Sequence, residues 1–294
     1  MPGETAPPCT IVFSNINFVV LGVLCVFGFL YYVSVFCVIV PWLSYSVPGI
    51  TNMGVLTLTT GVSLYCYLFC VLLDAGRAPS DYDPDQEIAK VLEVKRKDHH
   101  CPWTNNCIGH ANYRAFFLFL IYVNAALLHV VGLLGAHALH ILQTSHMQRV
   151  LRTGPQAKPV QLAGGWIGSV WLWAVLQLVA FGIALPLTIG LLLLFIWHVQ
   201  LVGVNKTTIE YQEGVTASIN AAASGVPLDQ VHTHPYDLGV YANLMSIFGN
   251  NPAAWLLPPL APTPGGTSYP TKWDMPMGGP DHEEREAKLL GLVA

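Results

Sequence analysis

Charge is what this chain has least of. Of its 294 residues only 10% are Asp, Glu, Lys or Arg, while 53% are hydrophobic; a soluble domain carries about 25% charged residues. The shortage excludes an ordinary soluble domain and predicts a membrane protein. A formal net charge of −4 leaves no basic surplus for a nucleic-acid partner. No Lys or Arg precedes the first apolar run, no small-residue cleavage site follows it, and it is too long, so it is not a secretory signal peptide. Internal repeats are absent. No cysteine occurs anywhere from position 71 to 100, which excludes a Cys-x-x-Cys metal unit from that stretch.

What is there is apolar and helical in length. Four uncharged stretches, Phe18–Leu43, Gly54–Leu73, Phe116–Leu134 and Val170–Trp197, each hold about the 20 residues that cross a hydrocarbon core as a helix. The third could extend to Leu142, and Pro186 in the fourth predicts a kink. The fold class is therefore all-α and polytopic, with four transmembrane helices. The loop at 74–114 carries six basic residues (Arg77, Lys90, Lys95, Arg96, Lys97, Arg114), that between spans three and four carries Arg149, Arg152 and Lys158, and that between spans one and two carries none. The positive-inside rule places the 74–114 loop and both termini in the cytosol. The chain divides into a cytosolic N-terminus (1–17), spans one and two (18–73), the loop (74–114), spans three and four (115–199), a cytosolic region (200–251) and a tail (252–294). Residues 85–97 could form a short charged helix and 281–292 a short amphipathic one. The tail's Pro/Gly-rich part, 252–280, has eight prolines and a composition that predicts disorder.

Four of the seven cysteines lie in apolar spans, where cysteine is usually a small hydrophobe. Cys101 and Cys107 are different, because they sit in a polar loop within the run Lys97-Asp98-His99-His100-Cys101-Pro102-Trp103-Thr104-Asn105-Asn106-Cys107-Ile108-Gly109-His110. A free thiol is only a few per cent thiolate at neutral pH. An imidazole can take its proton, and a carboxylate bonded to that imidazole fixes its tautomer and stabilises its charged form. Asp98, His99 and Cys101 are the residue types this chemistry needs. In an extended strand His99 and Cys101 share one face and His100 the other. Spacing alone leaves a second reading open, a zinc knuckle with His100, Cys101 and Cys107 as ligands. A third, a membrane metal or haem protein, is raised by His129, His137, His140 and His198.

Asp98-His99-His100-Cys101 with Trp103, Asn106-Cys107-Ile108-Gly109, Asn112 and Phe116 resembles the signature of the DHHC family of protein S-acyltransferases. Thr207-Thr208-Ile209-Glu210 resembles the family's Thr-Thr-x-Glu, and Pro235-Tyr236-Asp237-Leu238-Gly239 with Asn243, Phe248 and Gly249 resembles its C-terminal motif. Asp74-Ala75-Gly76 resembles its Asp-Pro-Gly, with Ala75 in place of proline. The resemblance covers residues 18–258. It implies palmitoyl-CoA as acyl donor, Cys101 as the nucleophile that forms a thioester, His99 as base, Asp98 as its orienting group, and cysteines of substrate proteins as acceptors. It implies an acyl-chain cavity among the spans, structural roles for Thr207, Thr208, Glu210 and Asn243, and residence in an endomembrane (Golgi or endoplasmic reticulum) or vacuole.

The family's cysteine-rich domain binds two zinc ions, each through three cysteines and one histidine. Here residues 77–97 supply none of those ligands. Only His100 and Cys107 match ligand positions, giving an incomplete zinc site, and the clean join between Lys97 and Asp98 suggests an internal deletion. Zinc coordination supplies folding energy to small domains. Its loss makes an impaired pseudoenzyme or membrane scaffold the alternative function.

Overall fold

The computed structural model describes residues 13–76, 97–152, 167–214 and 236–263, with side chains through Ser145 before the second break and from Leu172 after it. Four helices are long and apolar enough to cross a membrane, as predicted. The first, α1, spans Phe18–Leu43. Asn17 caps it, its side-chain oxygen accepting from Val19 and Val20 N–H at 3.0 Å. Its middle, Val33–Ile39, is π-helical, and the Gln177 amide donates to the Cys37 carbonyl there at 3.1 Å. Helix α2 spans Val47–Leu72 and so begins well before Gly54. Pro48 lies in its first turn, where a missing N–H costs nothing. Helix α3 spans Tyr113–Arg152, longer than the apolar run predicts at both ends. Helix α4 spans Ile167–Gly203 and runs on through Pro186.

Between α2 and α3 the chain is not helical. Strands β1 (Lys97–Cys101) and β2 (Asn106–Gly109) pair antiparallel, with His99 opposite Ile108, His100 opposite Cys107 and Cys101 opposite Asn106. This hairpin is the one departure from an all-α fold among the described residues. Its inner face completes the bundle: Cys101 and Ile108 share a buried cluster with Phe69, Cys70, Phe116 and Leu120. A larger apolar cluster, including Leu56, Leu127, Val130 and Ala184, fills the bundle further from the hairpin. Helix α4 keeps Leu178, Ile189 and Leu193 on its outer surface, as a lipid-facing helix does.

After α4, residues 208–214 are helical, and α5 spans Val240–Phe248 between Gly239 (φ 93°) and Gly249 (φ 86°). Both glycines hold left-handed backbone that a Cβ would strain. The expected disorder from 252 onward is corrected for residues 252–263, which are packed on α2 and α3. Tyr65 and Tyr122 hydroxyls donate to the Pro259 and Leu256 carbonyls at 2.7 and 2.8 Å, and Arg114 donates to those of Ala254 and Leu257. Composition missed this because proline-rich backbone has few donors of its own and was held by donors from elsewhere in the chain. The rest of the tail, and the helices expected at 85–97 and 281–292, lie outside the described residues, apart from Lys97, which opens β1.

Candidate active site

The signature is positioned by asparagines. Asn106 donates from its side-chain nitrogen to the Cys70 and Leu73 carbonyls at 2.9 and 2.8 Å, capping carbonyls that the end of α2 leaves unpaired. Asn112, fully buried, accepts from Gly109 N–H at 2.9 Å and donates to the Leu73 and Cys107 carbonyls at 3.2 and 3.1 Å. Tyr67 donates to the Trp103 carbonyl at 2.9 Å. These side chains tie the hairpin to α2, and just beyond them Ala111 N–H donates to the Ala75 carbonyl at 3.1 Å.

On its inner face lie Asp98, His99 and Cys101. Asp98 is 2% exposed and Cys101 7%. His99 Nδ1 meets Asp98 Oδ2 at 2.6 Å, and the His99 ring is near enough to the Cys101 thiol for each to shift the other's ionisation. Burial alone would push the imidazole down, but its hydrogen bonds to Asp98 and Cys101, with the charges of both, lift it to about 9. Burial likewise opposes the thiolate. The His99 hydrogen bond, the N–H and hydroxyl of Thr104 and the imidazolium charge overcome it, so Cys101 lies below the usual thiol range. Both shifts favour the thiolate–imidazolium pair over the neutral pair.

The Thr207–Glu210 segment is a capping box. Glu210 Oε2 accepts from Thr207 N–H at 2.8 Å, and Thr207 Oγ1 accepts from Glu210 N–H at 3.1 Å. That reciprocal cap turns Thr208 toward Asp98, to which it donates through its N–H (2.8 Å) and its hydroxyl (3.1 Å). A helix N-terminus thus holds the carboxylate that holds the imidazole. Asn243, fully buried, donates to the Gly203 carbonyl and to Asp237 Oδ1, both at 2.8 Å, and accepts from Leu238 N–H at 3.0 Å. It fastens α5 to the end of α4.

The outer face carries His100 and Cys107, whose Nδ1 and Sγ lie 3.7 Å apart. Structural zinc takes four protein ligands. These are two donors on an exposed face, and residues 77–96 contain neither cysteine nor histidine. The described residues do not by themselves fit a structural zinc ion. Among the described residues the one cluster of three suitable donors is Asp98, His99 and His198, and there the Asp98–His99 hydrogen bond already engages two of them.

His198 is the residue that sequence reasoning undervalued. It is buried, its Nδ1 lies 3.1 Å from the Tyr113 hydroxyl, and its ring is 5.8 Å from that of His99, with Phe116 edge-on to both. An imidazole near the end of an apolar span, shortly before the Thr-Thr pair, was the available signal. His129 and His137 bond Asn52 and Gln177 instead, so the four histidines are dispersed and do not face one another as haem ligands.

An apolar cavity of about 520 Å³ runs from Cys101 into the bundle, lined by Val26, Phe27, Leu56, Phe119, Val130 and Leu191 among others. The comparisons with known proteins agree with this geometry. A family model described as DHHC palmitoyltransferase matches residues 92–215. Probable protein S-acyltransferase 16 of Arabidopsis thaliana is 34% identical over 287 residues, covering 86% of this chain and 92% of its own. The chain belongs to the DHHC palmitoyltransferase family. Probable protein S-acyltransferase 15 of the same plant is 31% identical, covering 84% of this chain and 99% of its own. Human palmitoyltransferase ZDHHC2 is 29% identical across 60% of this chain and 40% of its own. The alignment with the first relative is longer than the share of this chain it uses, so that relative carries residues with no counterpart here. By family resemblance the protein is an integral membrane protein S-palmitoyltransferase, and an inert scaffold is not favoured.

Proposed function

We propose that this chain transfers a long-chain acyl group from acyl-CoA to protein cysteines through a thioester on Cys101, on the cytosolic face of its membrane. The observation that carries the reading is a buried thiol, beside a carboxylate-held imidazole, at the mouth of an apolar cavity. A chain of about 14 methylenes gains on the order of 11 kcal/mol, gross, when buried in such a cavity.

The Cys101 thiolate attacks the acyl-CoA carbonyl carbon. The C–S bond to CoA breaks, and the departing CoA thiolate takes the proton that His99 carries. In the second half, neutral His99 accepts the proton of a substrate thiol, whose sulfur attacks the thioester and returns Cys101 as thiolate. Asp98, positioned by Thr208, keeps the imidazole oriented through both halves. Thr207, Glu210 and Asn243 hold Thr208 and α4 in place and touch no reacting atom. No step passes through zinc.

The test is incubation of the purified full-length chain with a radiolabelled acyl-CoA. Hydroxylamine-sensitive label is expected on the wild type and not on Cys101→Ser. Label that survives Cys101→Ser removes the assigned nucleophile, and a wild type that takes no label overturns the reading.

A further inference from the structure

Residues 252–263 form a strap across the outer side of α2 and α3. Three observations bear on what covers it. The first is depth. Tyr65, which holds the Pro259 carbonyl, lies seven residues before Leu72, the end of α2, or roughly 10 Å along the helix. Helix α2 has 26 residues, about 39 Å against a hydrocarbon core of about 30 Å. Centred in that core, each end would protrude less than about 5 Å, so Tyr65 is inside it. Its Cβ leans toward the helix N-terminus, away from the hairpin end, which takes the hydroxyl no nearer to water. Phe69, one turn closer to the hairpin, is the residue that packs in the cluster with Cys101. Tyr122, which holds the Leu256 carbonyl, lies nine residues into α3, roughly 13 Å along it, and leans back toward the hairpin end.

The second observation is composition. Residues 238–271 contain no charged side chain. Within the strap Leu256, Leu257 and Leu260 are 58, 60 and 94% exposed, so the described residues do not bury them, while Pro259 is buried against the helices. The third is the backbone. Irregular backbone is costly in hydrocarbon because its polar groups lose water. Here Pro258, Pro259 and Pro262 have no N–H to satisfy, and the Ala254, Leu256, Leu257 and Pro259 carbonyls accept from Arg114, Tyr122, Arg114 and Tyr65. Trp255 and Tyr241, 6.0 Å apart between ring centroids, are the residue types that gather at a membrane interface.

We propose that residues 256–260 are a lipid-facing strap that dips into the hairpin-side leaflet across the α2–α3 seam, with the acyl chains of the bilayer as the partner of Leu256, Leu257 and Leu260. The surface is continuous with the lipid-facing sides of the two spans it crosses. The strap then rises to the hairpin, where Thr263 N–H donates to the Ala111 carbonyl at 3.1 Å. The proposal is independent of the acyl-transfer reaction.

The test places a genetically encoded fluorescent amino acid at position 260 of the full-length chain in phosphatidylcholine vesicles, with positions 193 and 250 as lipid-facing and water-facing references. The expected result is strong quenching by chain-brominated phosphatidylcholine, close to that at 193, and several-fold weaker quenching by iodide than at 250. Tyr65→Phe, which removes the anchoring hydroxyl, is expected to raise iodide access at 260 several-fold. Iodide access equal to that at 250 in the wild type overturns the proposal. Protection from iodide without quenching by brominated lipid also overturns it, since that marks a protein partner. Unchanged access in Tyr65→Phe overturns the anchoring role.

Discussion

The two faces of the β1–β2 hairpin descend from one short motif and are held in opposite ways. The inner face, with Asp98, His99 and Cys101, is buried and braced by Thr208, Thr104 and Phe116. The outer face, with His100 and Cys107, has two donors 3.7 Å apart and no cysteine or histidine from residues 77–96 to join them. The family uses zinc in general, and the outer face is where the motif's matching positions lie. The difference separates two jobs that the signature normally combines. The Asp98–His99–Cys101 geometry rests on the spans and on the helix at 208–214, whereas the described residues bring only two donors to the outer face. Asn106 and Asn112, bonded to carbonyls at the end of α2 and just beyond it, fix where β1 and β2 sit.

The largest expected effect breaks the comparison at its strongest point. Removing the Cys101 sulfur should lower acylation at least about a thousandfold, as loss of a nucleophile does. Cys107→Ser, one face away, should stay within a few-fold. Labelling rates on the two variants, measured side by side, decide it; equal losses would mean the outer face matters as much as the inner.

Next in size is the brace. Thr208→Val removes a hydroxyl hydrogen bond to a charged group, worth about 1.5–3 kcal/mol, so acylation should fall roughly 10- to 100-fold. Thr208→Ser keeps the hydroxyl and should recover most of the rate. If the serine variant is as slow as the valine one, Thr208 supports the fold and not Asp98.

The pH profile sharpens the same point. With Cys101 below the usual thiol range and His99 near 9, acylation should set in at lower pH than an ordinary thiol would allow. It should decline as pH rises through about 9 and the imidazolium loses its proton. Asp98→Asn removes a hydrogen bond and a charge that raise His99, so its upper limb should move to lower pH. An upper limb that stays where it was would assign that ionisation to another group.

Much of this was legible from residues alone, and the parts that were not share a cause. Four spans follow from uncharged runs of bilayer length, and the opposed faces of His99 and His100 follow from strand geometry once Asp98–Cys101 is taken as extended. The capping box is readable as Thr-x-x-Glu, yet nothing local says that Thr208 reaches Asp98 across 110 positions. His198 is likewise an ordinary polar residue in an apolar span until Tyr113 and His99 are beside it. Residues 252–263 reverse the expectation outright, because their order is imposed by Tyr65, Tyr122 and Arg114, all far away in sequence. Long-range polar partnerships leave no periodicity to read.

The smallest expected effect is the most discriminating for the outer face. A chelator strong enough to strip structural zinc should leave both the thermal midpoint and the labelling rate of the purified chain unchanged, since two donors do not make a four-ligand site. The double variant His100→Ala, Cys107→Ala should behave the same way, because the pair sits on an exposed face and the hairpin's ties to α2 run through Asn106, Asn112 and Tyr67. Asn106→Ala should by contrast destabilise the chain measurably, leaving α2 carbonyls without a donor at about 1–3 kcal/mol. A chelator-sensitive midpoint would reverse the comparison. It would mean that donors outside the described residues complete the outer site, and that metal holds the hairpin together with the asparagine ties.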